Sequence, residues 1–213
     1  MMNVPESNTA RTKGRLIHWA AGYDLLAWFY LRGRERAFRE RLLDLARVRA
    51  REAVIDVGCG TGTLAIAAKQ RVGPDGTVVG VDGSDAMIAR ARKKAQRQRL
   101  DVSFRVEVVE ALPFRNAQFD VAFSTLMLHH LPRNAREQCL REVRRTLKPG
   151  GRYLAVDFGA RQKGGLIRHL HRHGHLDFGE LSEMLKGAGF QIGESGPVGV
   201  RDLLFILAWN TTG

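Results

Sequence analysis

Val54-Ile55-Asp56-Val57-Gly58-Cys59-Gly60-Thr61-Gly62 sets a short apolar run, an acidic residue and three alternate glycines one after another. A short run of this kind, rich in β-branched residues, reads as a strand buried on both faces, as in a parallel sheet. The glycines let the backbone turn sharply and let a ligand come closer than a Cβ would permit. Free N–H groups at the start of the helix that follows favour a carboxylate or phosphate. A glycine triplet alone is a weak signal, because strand-to-helix loops also use glycine for turn geometry. Here, however, Asp82 closes the next apolar run twenty residues beyond Gly62. In nucleotide-binding βαβ units a carboxylate at that spacing accepts hydrogen bonds from the two ribose hydroxyls.

Working outward, strands and helices alternate. Strands are expected at Ala53 to Val57, Thr77 to Val81, Val102 to Val109, Phe119 to Thr125, Arg152 to Phe158, Phe190 to Ile192 and Asp202 to Ala208. Helices are expected from about Leu64 to Arg71, Asp85 to Arg99 (Ala86, Ile88, Ala89 and Ala95 inward), Asn134 to Leu147 and Phe178 to Ala188. The pattern predicts an α/β fold with a Rossmann-like, seven-stranded, mostly parallel sheet covered by helices on both faces. Residues 1–13 read as a disordered lead, 14–50 as N-terminal helices on the lid or substrate side, and 51–213 as the core. The first of those helices carries Leu16, Trp19, Tyr23, Leu26 and Tyr30 at helical spacing.

After the glycine loop and Asp82 come, in order, Leu112-Pro113-Phe114, Phe119-Asp120-Val121, Leu128-His129-His130-Leu131-Pro132 and Leu147-Lys148-Pro149-Gly150-Gly151. With this series the sequence closely resembles the class I methyltransferases of the type 11 group, which includes the ubiquinone/menaquinone C-methyltransferases. The resemblance runs from about Gly14 to Ala208 and is strongest over Val54 to Gly62, Val79 to Met87 and Phe119 to Gly151. It implies S-adenosylmethionine as cofactor, S-adenosylhomocysteine as product, and an antiparallel last strand. By the same resemblance Asp56, Gly58, Gly60, Thr61 and Gly62 belong to the cofactor loop, whose glycines and Thr61 line the methionine part. Asp82 holds the ribose, Gly83 lets the cofactor pass, Val108 and Val109 flank adenine, and Ser124 lies under the sulfonium. Tyr23 corresponds to the aromatic that closes over the cofactor. Many relatives carry Asp or Asn where this chain has Val108; Glu107, if the strand runs that far, alternates onto the face opposite it.

Methyl transfer from a sulfonium needs alignment and water exclusion more than activation, and no metal is obligatory. A carbon or oxygen acceptor gains from a base, so His129 or His130 is a candidate; the alternative is that the pair shapes the turn and packs on the cofactor. His169, His171, His173 and His175 recur every second residue, which suits a substrate lid or a polar surface better than a metal site. Cys59 reads as structural. Ser124-Thr125-Leu126-Met127-Leu128 lacks the Asn/Asp-Pro-Pro-aromatic loop of enzymes that methylate adenine or glutamine amino groups. A dehydrogenase fingerprint spaces its last glycine differently.

The formal charge of +12 is spread along the chain without a dense basic block, so nucleic acid is not the expected partner. A small-molecule acceptor is expected, apolar or amphiphilic, such as a quinone precursor or a lipid. RNA-directed methylation and cofactor binding without catalysis stand as alternatives. Trp19, Tyr23, Trp28, Phe29 and Tyr30 beside Arg32, Arg34, Arg36 and Arg39 suit either core packing or peripheral contact with an anionic membrane. With two cysteines, no export signal core and no clean apolar run of about 20 residues, a cytoplasmic location is expected. The oligomeric state is open.

Overall fold

The computed structural model describes residues 34–159, 176–200 and 202–211. Helix α1 (Glu35–Leu45) leads into a strand and helix alternation: β1 (Ala53–Val57), α2 (Thr63–Val72), β2 (Thr77–Asp82), α3 (Asp85–Arg97), β3 (Ser103–Val106) and β4 (Phe119–Thr125). A short 3₁₀ turn (Leu128–His130), α4 (Arg133–Thr146), β5 (Leu147–Phe158), α5 (Phe178–Gly187), β6 (Gln191–Pro197) and β7 (Leu203–Trp209) complete it. The sheet order is β3-β2-β1-β4-β5-β7-β6. β1 to β5 are parallel, and β7 runs antiparallel between β5 and β6. The Rossmann-like sheet with an antiparallel last strand is therefore as the sequence predicts.

Each face of the sheet carries its own apolar layer. Val54, Val121, Phe123, Leu154 and Val156 face α1, α2 and α3, whose Leu42, Ala65, Ile88 and Ala91 pack onto them. Ile55, Ala122, Tyr153 and Ala155 point the other way, against Leu140 and Val143 of α4 and Leu181 and Leu185 of α5. Period-two alternation of strands that are apolar on both sides produces this three-layer arrangement. On α3 the inward face is Met87, Ile88, Ala91 and Ala95, while Ala86 and Ala89 are exposed. The alanine-rich sequence leaves the helix phase ambiguous, and the two largest apolar residues settle it.

Three strands differ from expectation by more than one residue, and one of them is β5, which starts at Leu147 rather than Arg152 because Leu147 already pairs with Phe119. β3 stops at Val106, because the Glu107 N–H donates to the Asp82 carbonyl at 3.1 Å and the chain turns, with Ala111 N–H bonded to the Val108 carbonyl. The alternation argument for Glu107 and Val108 therefore fails, since neither lies in a strand. β6 runs on through Gly193 and Gly196 to Pro197, an exposed edge strand that pairs only with β7 and tolerates proline for that reason.

Candidate active site

β1 lies between β2 and β4, so the chain leaves it in one direction through β2 and β3 and returns on its other side at β4. In open α/β sheets ligands bind in the crevice at the carboxyl ends of strands where the order reverses. The sequence-expected residues gather there. The Gly58 and Cys59 N–H groups both donate to the Val81 carbonyl, at 2.8 and 2.9 Å, tying the glycine loop to the end of β2. Gly58 has φ +75°, and a Cβ on it would lie 2.2 Å from Met127 Cγ; at Gly62, φ +76°, one would lie 2.6 Å from Phe104. Glycine is required at both by conformation and by space.

Asp82 joins two elements. Its Oδ2 accepts the Gly60 N–H and its Oδ1 the Ser84 N–H, each at 2.9 Å. Ser84 in turn caps α3 through the Met87 N–H. Each carboxylate oxygen retains a lone pair and the residue is only partly buried, so the group fits a vicinal diol. Beneath the loop, Asp56 is 2% exposed. Burial, then the negative charge of Asp82, push its carboxyl up to about 7, against a lowering backbone hydrogen bond from Ala65 near the start of α2. Burial also raises Asp82, opposed by the Ser84 and Gly60 N–H groups. Burial, then Asp56 and Asp82, push the Cys59 thiol up, which removes it as a nucleophile and agrees with its structural reading. Lys94 of α3 donates to Thr61 Oγ1 at 2.8 Å, bringing a cation to the loop that the sequence reading did not single out.

Gly83 follows Asp82 in the turn to α3, and Val108 and Val109 sit in the turn after β3 with Val109 buried. Ser124 is buried and its hydroxyl is shared with Tyr153 at 2.5 Å on the α4 side of the sheet. Its neighbour Thr125 sends its side chain to the opposite face, the side of Asp56, and its buried Oγ1 has no hydrogen-bond partner among the described residues. An orphaned hydroxyl at the end of β4 is a further polar group suited to a ligand. His129 and His130 occupy the 3₁₀ turn just past β4, with ring centroids 3.9 Å apart. His129 Nδ1 lies 2.6 Å from Oδ1 of Asp157, a fully buried residue near the end of β5 that sequence reasoning missed. Tyr23 and the stretch from His169 to His175 lie outside the described residues.

Comparison with known proteins agrees with this geometry. A methyltransferase domain family matches residues 54–151. The chain is 35% identical over 161 residues to the demethylmenaquinone methyltransferase of Thermus thermophilus, a match that covers 75% of this chain and 72% of that protein. It is 37% identical over 167 residues to the ubiquinone/menaquinone biosynthesis C-methyltransferase of Pseudomonas fluorescens, covering 73% of this chain and 61% of that relative. Among solved structures, the 1,6-didemethyltoxoflavin N1-methyltransferase of Burkholderia thailandensis, with its acceptor and S-adenosylhomocysteine bound, superposes with a TM-score of 0.67 at 24% identity over 95% of both chains. This chain therefore belongs to the class I S-adenosylmethionine-dependent methyltransferases, in the group similar to the ubiquinone/menaquinone C-methyltransferases.

Proposed function

We propose that the acceptor is a small apolar or amphiphilic molecule of the para-quinol type, methylated on a ring carbon. The observation that carries this reading is the 35% identity to demethylmenaquinone methyltransferase over 72% of that protein's length. S-adenosylmethionine supplies an electrophilic methyl group on a sulfonium that is its own leaving group. What remains for the protein is to bind, orient and exclude water. In this reading Asp82 accepts the ribose hydroxyls, Gly58, Gly60, Thr61 and Gly62 line the methionine part above Asp56, and Gly83 gives the cofactor clearance. Val108 and Val109 flank adenine, and Ser124 supports the sulfonium end through its backbone, its hydroxyl being committed to Tyr153. Tyr23 closes over the cofactor. Val108 has no acceptor for the adenine amino group, a loss of about 0.5–1.5 kcal/mol that weakens cofactor binding by about tenfold at most.

The +12 charge is spread along the chain without a dense basic block, which favours a small molecule over RNA. No helix of the described residues is long and apolar enough to cross a membrane. A tailed quinol would instead be met at a membrane surface by the basic and aromatic N-terminal segment. The test is transfer of labelled methyl from S-adenosylmethionine to a short-tailed 2-isoprenyl-1,4-naphthoquinol in mixed micelles. Saturable, carbon-linked incorporation is expected. Label appearing in bulk RNA but not in the quinol would overturn the proposal.

A further inference from the structure

The Asp157 carboxylate grips His129 twice. Oδ1 meets the ring Nδ1 at 2.6 Å, and Oδ2 accepts the backbone N–H of the same residue at 3.2 Å. Oδ1 also accepts the Phe158 N–H at 2.8 Å, which fixes the carboxylate in turn. Asp157 is 0% exposed and the His129 side chain only 10%. A carboxylate can only accept from a neutral imidazole, so this contact places the ring proton on Nδ1 and leaves the lone pair on Nε2.

The surrounding turn is held as firmly. Arg136 of α4 bonds the carbonyls of Leu128 and Leu131, on either side of the histidine pair. The Phe158 ring meets the His129 ring edge-on at 5.5 Å, and the His130 ring lies tilted against it at 3.9 Å. β4 and β5 are in parallel register, Thr125 opposite Val156, so Asp157 and the turn share the carboxyl edge of the sheet with Asp56 and Asp82. A fixed Nδ1–H tautomer suits an acceptor base, because the proton must arrive on a nitrogen that holds a lone pair.

From this arrangement we infer that His129 is the base of the methyl-transfer step, and that Asp157 is the positioning residue that holds its ring in place as the Nδ1–H tautomer. The acceptor's proton passes to Nε2, giving an imidazolium beside Asp157. The acceptor's electron pair forms the new bond to the methyl carbon, and the pair of the broken carbon–sulfur bond stays on sulfur, leaving a neutral thioether. The imidazolium then returns the proton to solvent. This assignment rests on the methyltransferase reading above but not on the identity of the acceptor.

Two measurements test it. Long-range ¹⁵N–¹H spectra of the full-length protein with S-adenosylhomocysteine are expected to show neutral His129 as the Nδ1–H tautomer, and a mixed or reversed tautomer in Asp157→Asn. This readout needs no acceptor, so it still decides the case if the naphthoquinol is not methylated. With a methylated acceptor, Asp157→Asn and His129→Gln are each expected to lower kcat on the order of 10²-fold, with the acceptor KM and the S-adenosylmethionine Kd within threefold of wild type. The double variant is expected to lose no more than the worse single one. An Nε2–H tautomer in the wild type, additive losses, or a loss confined to KM or to cofactor affinity would overturn the inference.

Discussion

At the amino edge of the sheet, Arg152 bonds both oxygens of Glu52, at 2.7 and 2.9 Å, and the carbonyls of Ala46 and Arg47 at the end of α1. Lys148 and the Ala53 N–H share the carboxylate of Asp120, and the Asn210 amide caps the carbonyls of Leu147 and Lys148. At the carboxyl edge, by contrast, two carboxylates interact under a glycine loop and a threonine hydroxyl is buried without a partner among the described residues. One edge spends its polar groups on the fold, and the other holds them in reserve for a ligand. A cleft is not in itself a site. The cleft of about 510 Å³ lined by Arg144, Arg145 and Asn210 lies at the satisfied edge, and these side chains are committed to the carbonyls of Gly189, Leu112, Phe114 and Leu147.

If that contrast is right, substitutions at the two edges trade stability and affinity in opposite ways. The largest effect is expected from Arg152→Ala, which leaves the Glu52 carboxylate with the Arg49 N–H but without its cation, takes a donor from two carbonyls, and costs about 3–5 kcal/mol in urea unfolding. Calorimetric titration of the folded variant with S-adenosylmethionine should give a Kd within threefold of wild type. A parallel loss of affinity would mean that the edges are not separate.

Asp56→Asn probes the other edge through pH. The folded-state carboxyl sits near 7, above its unfolded value of 3.8, so the folded state binds more protons between those values. Stability from this group is therefore greatest in acid and is lost as pH rises from about 4 to 7, by about 1.4 kcal/mol per pH unit and about 4 kcal/mol in all. Unfolding free energies at pH 5 and pH 8 should converge in Asp56→Asn relative to wild type, with the variant the more stable at pH 8. An unchanged pH slope would show that Asp56 is not the group held at a cost.

The same contrast explains what could be read from the chain. β1 and β4 are legible to the residue, because short runs rich in β-branched and aromatic side chains, bounded by turn residues, are too short for a helix. Asp82 is legible because its meaning lies in a local spacing from Gly62. The region after Val106 misleads, since Val108 and Val109 carry strand propensity while the chain is already crossing the end of β2. Asp157 and Thr125 are silent in sequence. The partner of Asp157 is 28 positions away, and the loneliness of Thr125 is a property of the packed sheet, so both depend on the parallel register of β4 and β5.

Thr125→Val is the finest probe of the reserved edge. Valine has the shape of threonine without the hydroxyl, and an unpartnered buried hydroxyl costs about 1–3 kcal/mol. The ligand-free variant is therefore expected to unfold at higher urea, gaining about 1 kcal/mol. If the cofactor or acceptor takes that hydroxyl as a partner, the same change raises its Kd by about threefold to tenfold, so the sign of the effect reverses between the empty and the loaded enzyme. Paired melts with and without saturating S-adenosylhomocysteine measure both signs. A loss of stability in the ligand-free protein would reveal a partner for Oγ1 in the fold itself and move Thr125 from the reserved set of groups to the satisfied one.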